Sequence, residues 1–275
     1  MKVGIIGTGN MGAILIEAFI LSNSVLSENM NIYNRTRTKA QTIKDQHPKI
    51  TICNSEAELA QDSDLLFVCV KPGEMHPVLT EIAKHLTAEK CVISITSPIS
   101  VAQLESLLPC HTARLIPSIT NKVLSGVSLI TFGENCSKQW RDTIRQLASS
   151  ISETIEIEND ITRISSDIVS CGPAFFSYLA QKFINGAVKE TGIDIKTATI
   201  LTEKMLVGLG DLLQSGHYSL PTLQEKVCVK GGITGEGIAV FEQELGDVFN
   251  HLFQATHRKF GEEITKLEEQ FNHKY

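Results

Sequence analysis

Lys2-Val3-Gly4-Ile5-Ile6-Gly7-Thr8-Gly9-Asn10-Met11-Gly12 begins as an apolar run and passes at once into three spaced glycines. Residues 2–6 read as a buried strand, and residues 10–21 carry apolar side chains at helical spacing. Between a strand and a helix, G-x-G-x-x-G acquires a mechanism that the bare pattern lacks. Gly7 allows the tight turn, Gly9 lets the backbone approach a pyrophosphate, and Gly12 lets the helix pack closely on the strand. Unpaired N–H groups at the helix start then face the anion, aided by the helix dipole. Ile6, Gly7, Thr8, Gly9, Asn10, Met11 and Gly12 are therefore candidate dinucleotide contacts.

Outward from this turn, short apolar runs alternate with amphipathic stretches for about 155 residues. Strands are expected at 31–34, 50–53, 65–70 and 91–96, with further ones at 113–116, 127–132 and 154–157. A helix is expected at 36–46, and Ser55-x-x-Glu58 has the form of a capping box that opens another. This alternation implies a Rossmann-type α/β domain with a parallel-rich sheet over residues 1–158. The pattern changes near Glu158-Asn159-Asp160. Stretches 174–191, 195–213, 222–229 and 247–271 read as helices, so residues 159–275 are expected to form an all-α domain. Leu201, Met205, Leu206, Leu209, Leu212 and Leu213 recur at helical spacing, as a core stripe or an oligomer interface would.

The second strand normally ends on the residue that chooses the cofactor. An Asp or Glu there accepts from the ribose 2′-hydroxyl of NAD. Here the chain reads Asn34-Arg35-Thr36-Arg37, with no carboxylate. A 2′-phosphate would be met by a guanidinium and the Thr36 hydroxyl, each charge-assisted bond worth roughly 1.5–3 kcal/mol. NADP(H) is the expected cofactor, with Asn34, Arg35 and Thr36 as its 2′-end contacts and Asn54, just past the third strand, nearby. Cys69-Val70-Lys71-Pro72 closes the fourth strand, where ligands of doubly wound sheets sit, and joins the candidate set.

The remaining composition excludes more than it selects. The 275 residues carry a net charge of −6 with both signs interleaved, which argues against nucleic acid or an acidic membrane as partner. Apolar runs are too short to span a bilayer, and the N-terminus lacks the long apolar segment of a signal peptide. Seven cysteines, odd in number and with no C-x-x-C, suit a reducing cytoplasm better than a disulfide framework or zinc site. The eight histidines show no metal-ligand spacing, and no metal is expected.

Taken together, Gly7-Thr8-Gly9-Asn10-Met11-Gly12, Asn34-Arg35-Thr36, Cys69-Val70-Lys71-Pro72, Cys171-Gly172-Pro173-Ala174 and Gly231-Gly232-Ile233-Thr234 resemble the pyrroline-5-carboxylate reductase family nearly end to end. Within it the chain is most similar to the late-competence ComER group. The resemblance implies an NADP-binding Rossmann domain and a helical domain that interleaves with a second subunit, giving a homodimer or larger assembly with the active site between the domains. It implies reduction of a small cyclic imine acid, 1-pyrroline-5-carboxylate, to L-proline. Gly231 and Gly232 match the loop whose backbone N–H groups hold the substrate carboxylate, with Lys230, Ile233 and Cys171 as neighbouring contacts. Thr234 matches the hydroxyl placed beside the imine nitrogen and is the catalytic candidate.

Departures from the family pattern cluster on the substrate side. S-P-G-G-T-T reads Val229-Lys230-Gly231-Gly232-Ile233-Thr234, M-P-N-T-P-A reads Ile116-Pro117-Ser118-Ile119-Thr120-Asn121, and S-G-S-G-P-A reads Val169-Ser170-Cys171-Gly172-Pro173-Ala174. The phosphate turn is untouched. Two readings stand: an NADPH-dependent imine reductase, and an NADP(H)-binding regulatory protein with weak or no proline-forming activity. A β-hydroxyacid dehydrogenase would need a lysine base on the first interdomain helix, and the spacing of Lys182 and Lys189 from Gly172-Pro173 does not match.

Overall fold

The computed structural model describes residues 1–272. Its chain order is β1 (Val3–Ile6), α1 (Asn10–Leu21), β2 (Met30–Tyr33), α2 (Arg37–Gln46), β3 (Thr51–Ile52), α3 (Glu56–Asp62) and β4 (Leu65–Val68). There follow α4 (Pro72–Ala83), β5 (Cys91–Ser94), α5 (Val101–Leu107), β6 (His111–Ile116), β7 (Val127–Phe132), α6 (Lys138–Ser149) and β8 (Glu153–Glu156). Helices continue as α7 (Thr162–Ser166), a π-helical turn (Asp167–Cys171), α8 (Gly172–Glu190), α9 (Ile195–Gln214), α10 (Leu220–Val227), α11 (Ile233–Glu244) and α12 (Val248–Asn272).

The eight strands form one sheet in the order β3-β2-β1-β4-β5-β6-β7-β8. All neighbouring pairs are parallel except β6 and β7, so β7 and β8 run against the rest. The expected parallel-rich α/β half and helical second half are both present. Strand composition explains the two-sided packing. In β1, β4 and β5 alternate residues go to opposite faces. Val3, Ile5, Leu65, Phe67, Cys91 and Ile93 join one core, with Leu15 and Phe19 of α1 and Ile144 of α6. Ile6, Leu66, Val68 and Val92 join the other, with Leu59, Met75, Leu79 and Leu104 of α3, α4 and α5. Strands buried on both faces read as unbroken apolar runs for this reason. Cys91 packs as a small hydrophobe, as its sequence setting implies.

The capping box at α3 forms with a shift. Ser55 Oγ accepts from the Glu58 backbone N–H at 3.1 Å, but the Glu58 carboxylate returns to the Asn54 backbone N–H at 2.7 Å, one residue earlier than the pattern specifies.

Packing divides the described chain into two compact units: Met1–Pro173 together with the segment from Ala255 onward, and Ala174–Gln254. Strand-like sequence stops near residue 158, whereas the packing boundary falls at 173/174. The intervening segment is tied to the end of β6, where Ser118 Oγ donates to the Val169 carbonyl at 2.7 Å and Ser170 Oγ to the Pro117 carbonyl at 2.8 Å. The end of α12 returns to the sheet unit, with Leu267 in its second core. Residues 273–275, the end of the expected helical domain, lie outside the described residues. Within the described residues, no helix is long and apolar enough to cross a membrane.

Candidate functional site

The turn after β1 has the geometry its glycines anticipate. Gly7 sits at φ +94°, where a Cβ would lie 2.6 Å from the Cys69 carbonyl oxygen. A Cβ on Gly12 would land on the Gly7 carbonyl oxygen, so α1 and β1 approach more closely than any side chain permits. A Cβ on Gly9 would meet nothing within 4 Å, so the backbone there is open to a close approach. Gly9 is the N-cap of α1 and supplies no side-chain cap, which leaves first-turn N–H groups at Asn10 and Met11 without intrahelical partners. The Thr8 hydroxyl is buried with no hydrogen-bond partner. Open backbone, free amides and an orphan hydroxyl together fit a pyrophosphate.

The β2 end converges on the same turn. The Thr8 backbone N–H donates to Asn34 Oδ1 at 2.9 Å, and Asn34 Nδ2 donates to the Thr36 carbonyl at 3.0 Å, so Asn34 orients both segments. Arg37 Nη1 donates to Asn54 Oδ1 at 3.0 Å. Arg35 Nη2 lies 2.9 Å from Glu74 Oε1. A cavity of about 260 Å³ opens here. Ile6, Gly7, Gly9, Asn34, Arg35 and Thr36 line it, and Cys69, Val70 and Lys71 close it from the end of β4. The other residues of the cofactor set do not line it: Thr8 and Gly12 are buried, Asn10 and Met11 occupy the first turn of α1, Asn54 holds Arg37, and Pro72 starts α4.

Sequence reasoning missed Tyr33, Lys39, Glu56, Glu74 and Val78, which also line the cavity. Lys39 lies in the first turn of α2, just past Arg35 and Thr36, a position that could have found it. Glu74 is brought in only by the crossover from β4 to α4. Burial pushes the Glu56 carboxyl above its usual range, and the Arg35 charge partly offsets this. Burial likewise pushes up the Tyr33 phenol and the Cys69 thiol, so both stay neutral near pH 7.

Cys171 ends the π-helical turn and belongs to the sheet unit. Beside it lies an ion pair that the sequence did not reveal. Arg163 Nη2 is 2.7 Å from Oδ1 of the fully buried Asp167 and 3.6 Å from Cys171 Sγ. The other Asp167 oxygen accepts from Thr256 Oγ1 at 2.7 Å, and the Arg163 guanidinium stacks 5.3 Å from the Phe260 ring centroid. Burial raises the Cys171 pKa, Arg163 opposes the rise, and Asp167 adds to it. Arg114 in β6 is buried too. It donates to the carbonyls of Ser97 and Ile99 and to the hydroxyls of Thr131 and Thr162, fixing the loop after β5. Burial without a carboxylate partner lowers its pKa to about 10.

Lys230, Gly231, Gly232, Ile233 and Thr234 belong to the helical unit. Gly231 takes φ +73°, which turns the chain into α11. Gly232 is the N-cap and offers no side chain, and a Cβ there would press on Val229 at 2.8 Å. Ile233 and Thr234 form the first turn of α11, so their N–H groups lack intrahelical partners. Lys230, Gly231, Ile233 and Thr234 are all exposed, Ile233 at 93%.

A family model for the dimerisation region of pyrroline-5-carboxylate reductase matches residues 159–263, and one described as NADP oxidoreductase, coenzyme F420-dependent, matches residues 2–98. Over 272 residues the chain is 49% identical to ComE operon protein 4 of Bacillus subtilis, covering 99% of this chain and 100% of that one. It belongs to the pyrroline-5-carboxylate reductase family. Another member, pyrroline-5-carboxylate reductase 3 of B. subtilis, is 26% identical over 262 residues, which cover 94% of this chain and 95% of that one. The fold of the family extends to solved structures. Plasmodium falciparum pyrroline carboxylate reductase with NADP bound superposes with a TM-score of 0.81 at 20% identity, covering 99% of this chain and 98% of that one. The Coxiella burnetii reductase gives 0.82 at 20% identity, with 98% of each chain covered.

Proposed function

We propose that the protein is a cytoplasmic NADPH-dependent reductase of a cyclic imine acid, of which 1-pyrroline-5-carboxylate is the model substrate, and that it acts as a homodimer or larger assembly. The observation that carries the cofactor reading is the cavity in which the open Gly9 backbone faces Arg35, Thr36 and Lys71 with no carboxylate at the end of β2. Family membership and the NADP-bound Plasmodium relative add support.

The reduced nicotinamide would supply the hydride. The chain's own part is to bind, orient and complement charge. Free amides at the start of α1 hold the pyrophosphate, while Arg35 and Thr36, backed by Arg37, face the 2′-phosphate. Amides at the start of α11 take the substrate carboxylate, with Lys230 adding positive charge and Ile233 and Cys171 contributing contact surface. Thr234 Oγ1 faces the imine nitrogen and orients it by a hydrogen bond as hydride reaches the adjacent carbon, and the proton the nitrogen gains comes from water. On this reading residues 1–158 serve as the cofactor domain and residues 159–275 as the dimerisation and substrate domain.

The oligomer follows from area. Within Ala174–Gln254 only Ile184, Ala198 and Thr202 are buried, while Phe176, Phe183, Leu201, Val240 and Phe241 are each more than half exposed. Clustered exposed apolar side chains of this kind mark a surface that meets a partner. A second copy of the same unit is the occupant that the match to the dimerisation region supports.

A second reading has its own support. Identity to ComE operon protein 4 is 49%, against 26% to a named reductase, and the departures from the reductase pattern lie at the substrate loops. On that reading the protein binds NADP(H) and regulates, with little turnover. NADPH oxidation with 1-pyrroline-5-carboxylate, followed by absorbance alongside a fluorescence titration of NADPH, separates the two. Turnover supports the reductase. Tight binding with no proline formed, even at high imine concentration, overturns it in favour of the regulator.

A further inference from the structure

Two guanidiniums follow β2, of which Arg35 lines the cavity, and their partners differ. Arg37 bonds the neutral carboxamide of Asn54, whereas Arg35 is paired with the Glu74 carboxylate at 2.9 Å. Arg35 follows β2, and Glu74 lies 39 residues later in the first turn of α4. The fold therefore returns a carboxylate to the place where the sequence after β2 has none. Glu74 and Arg35 both line the cavity, together with Lys39 and Lys71 on the positive side and Glu56 on the negative.

We propose that Glu74 is a cofactor-selectivity residue. It competes with the 2′-phosphate of NADP(H) for Arg35 and so holds the preference for NADP(H) over NAD(H) below what Arg35 and Thr36 alone would set. This rests on the reading of the cavity as the dinucleotide site. A 2′-phosphate adds nearly two negative charges beside the guanidinium. To pair with it, Arg35 must leave Glu74, and the phosphate must then sit near an uncompensated carboxylate. NAD(H) brings no such charge and leaves the pair intact. The two partners also differ in freedom. Glu74 is held in the first turn of α4, its backbone N–H bonded to the Lys71 carbonyl at 2.9 Å, and the helix N-terminus favours its negative charge. The Arg35 side chain is 83% exposed on a long stem, so it is the partner that exchanges. Solvent screening of so exposed a pair makes Glu74 a competitor of moderate strength rather than a block.

The test is calorimetric titration of the full-length protein with NADPH and with NADH, for the natural chain, Glu74→Gln, Arg35→Ala and the double variant. Glu74→Gln is expected to tighten NADPH by about three- to fivefold, with NADH changed less than about twofold and the gain shrinking at high salt. In the Arg35→Ala background the competition for the guanidinium is gone and only the screened repulsion between carboxylate and phosphate is relieved, so the gain should shrink to less than about twofold. Thermal melts check that each variant is folded. If Glu74→Gln leaves the NADPH-to-NADH ratio unchanged or lowers it while Arg35→Ala weakens NADPH selectively, the inference is overturned and the site assignment stands. If Arg35→Ala also leaves the ratio unchanged, the assignment of the cavity's basic end falls, and the inference with it.

Discussion

The sheet unit and the helical unit are both rich in apolar side chains and use them in opposite ways. Around the sheet, β1, β4 and β5 are closed on both faces by helices, and side chains such as Phe19, Phe67 and Leu15 are fully buried. In Ala174–Gln254 the helices α8, α9 and α11 expose Phe176, Phe183, Met205, Leu206 and Phe241, which line an open apolar cavity of about 540 Å³. One unit completes its core within a single chain, and the other presents half of one. The lesson is that helical periodicity identifies an apolar face but not what covers it.

The largest expected effect tests that contrast directly. Phe183→Asp places a carboxylate on the open helical face. If a second copy covers that face, dimer stability should fall by about 3–5 kcal/mol, a dissociation constant raised at least a hundredfold. Light scattering at micromolar concentration should then report a monomer, and an unchanged particle mass would show that this face is not the interface.

Gly12→Val addresses the sheet unit instead. Its Cβ would meet the Gly7 carbonyl, backbone that cannot move aside, and a loss of about 3 kcal/mol or more is expected in thermal unfolding. Assembly through the helical unit should survive at temperatures where the protein stays folded. A melting temperature within a degree of the natural chain's would mean that α1 and β1 are not packed as described.

Smaller effects sharpen the division of labour between the units. Arg35→Ala combined with Arg37→Ala should weaken NADPH about tenfold, discounted for the exposure of Arg35, with NADH little changed. Equal losses for both cofactors would remove the 2′-phosphate assignment. Thr234→Val, in the helical unit, should cut turnover about three- to tenfold, the worth of one neutral hydrogen bond, and leave NADPH affinity intact. Unchanged turnover would make Thr234 a structural residue.

The phosphate turn was the most legible part of the molecule, because two of its three glycines answer a backbone requirement that no other residue meets. Gly7 needs a positive φ and Gly12 needs the absence of a Cβ, and the structure shows both. The basic end of the cavity was legible by half. Arg35 and Thr36 are adjacent in sequence, but Glu74 reaches them through a crossover whose geometry no local pattern carries. The ion pair of Arg163 and Asp167 has the four-residue spacing that local reading could have found, but its closure by Thr256, 89 residues from Asp167, was illegible for the same reason as Glu74. Ser118 and Ser170 stood out as departures from the family pattern. Only the fold shows that their hydroxyls tie the loop after β6 to the π-helical turn.

By itself, the amino-acid sequence determined the alternation of strands and helices, the nucleotide-binding turn, the change to helices after residue 158 and the family. These are matters of backbone conformation and periodicity, which neighbouring residues settle among themselves. Tertiary structure decided which charges face one another, where α12 ends its course, and that the helical unit leaves its apolar face uncovered. Those depend on residues far apart in the chain being brought within a few ångströms, and no local rule sets that distance.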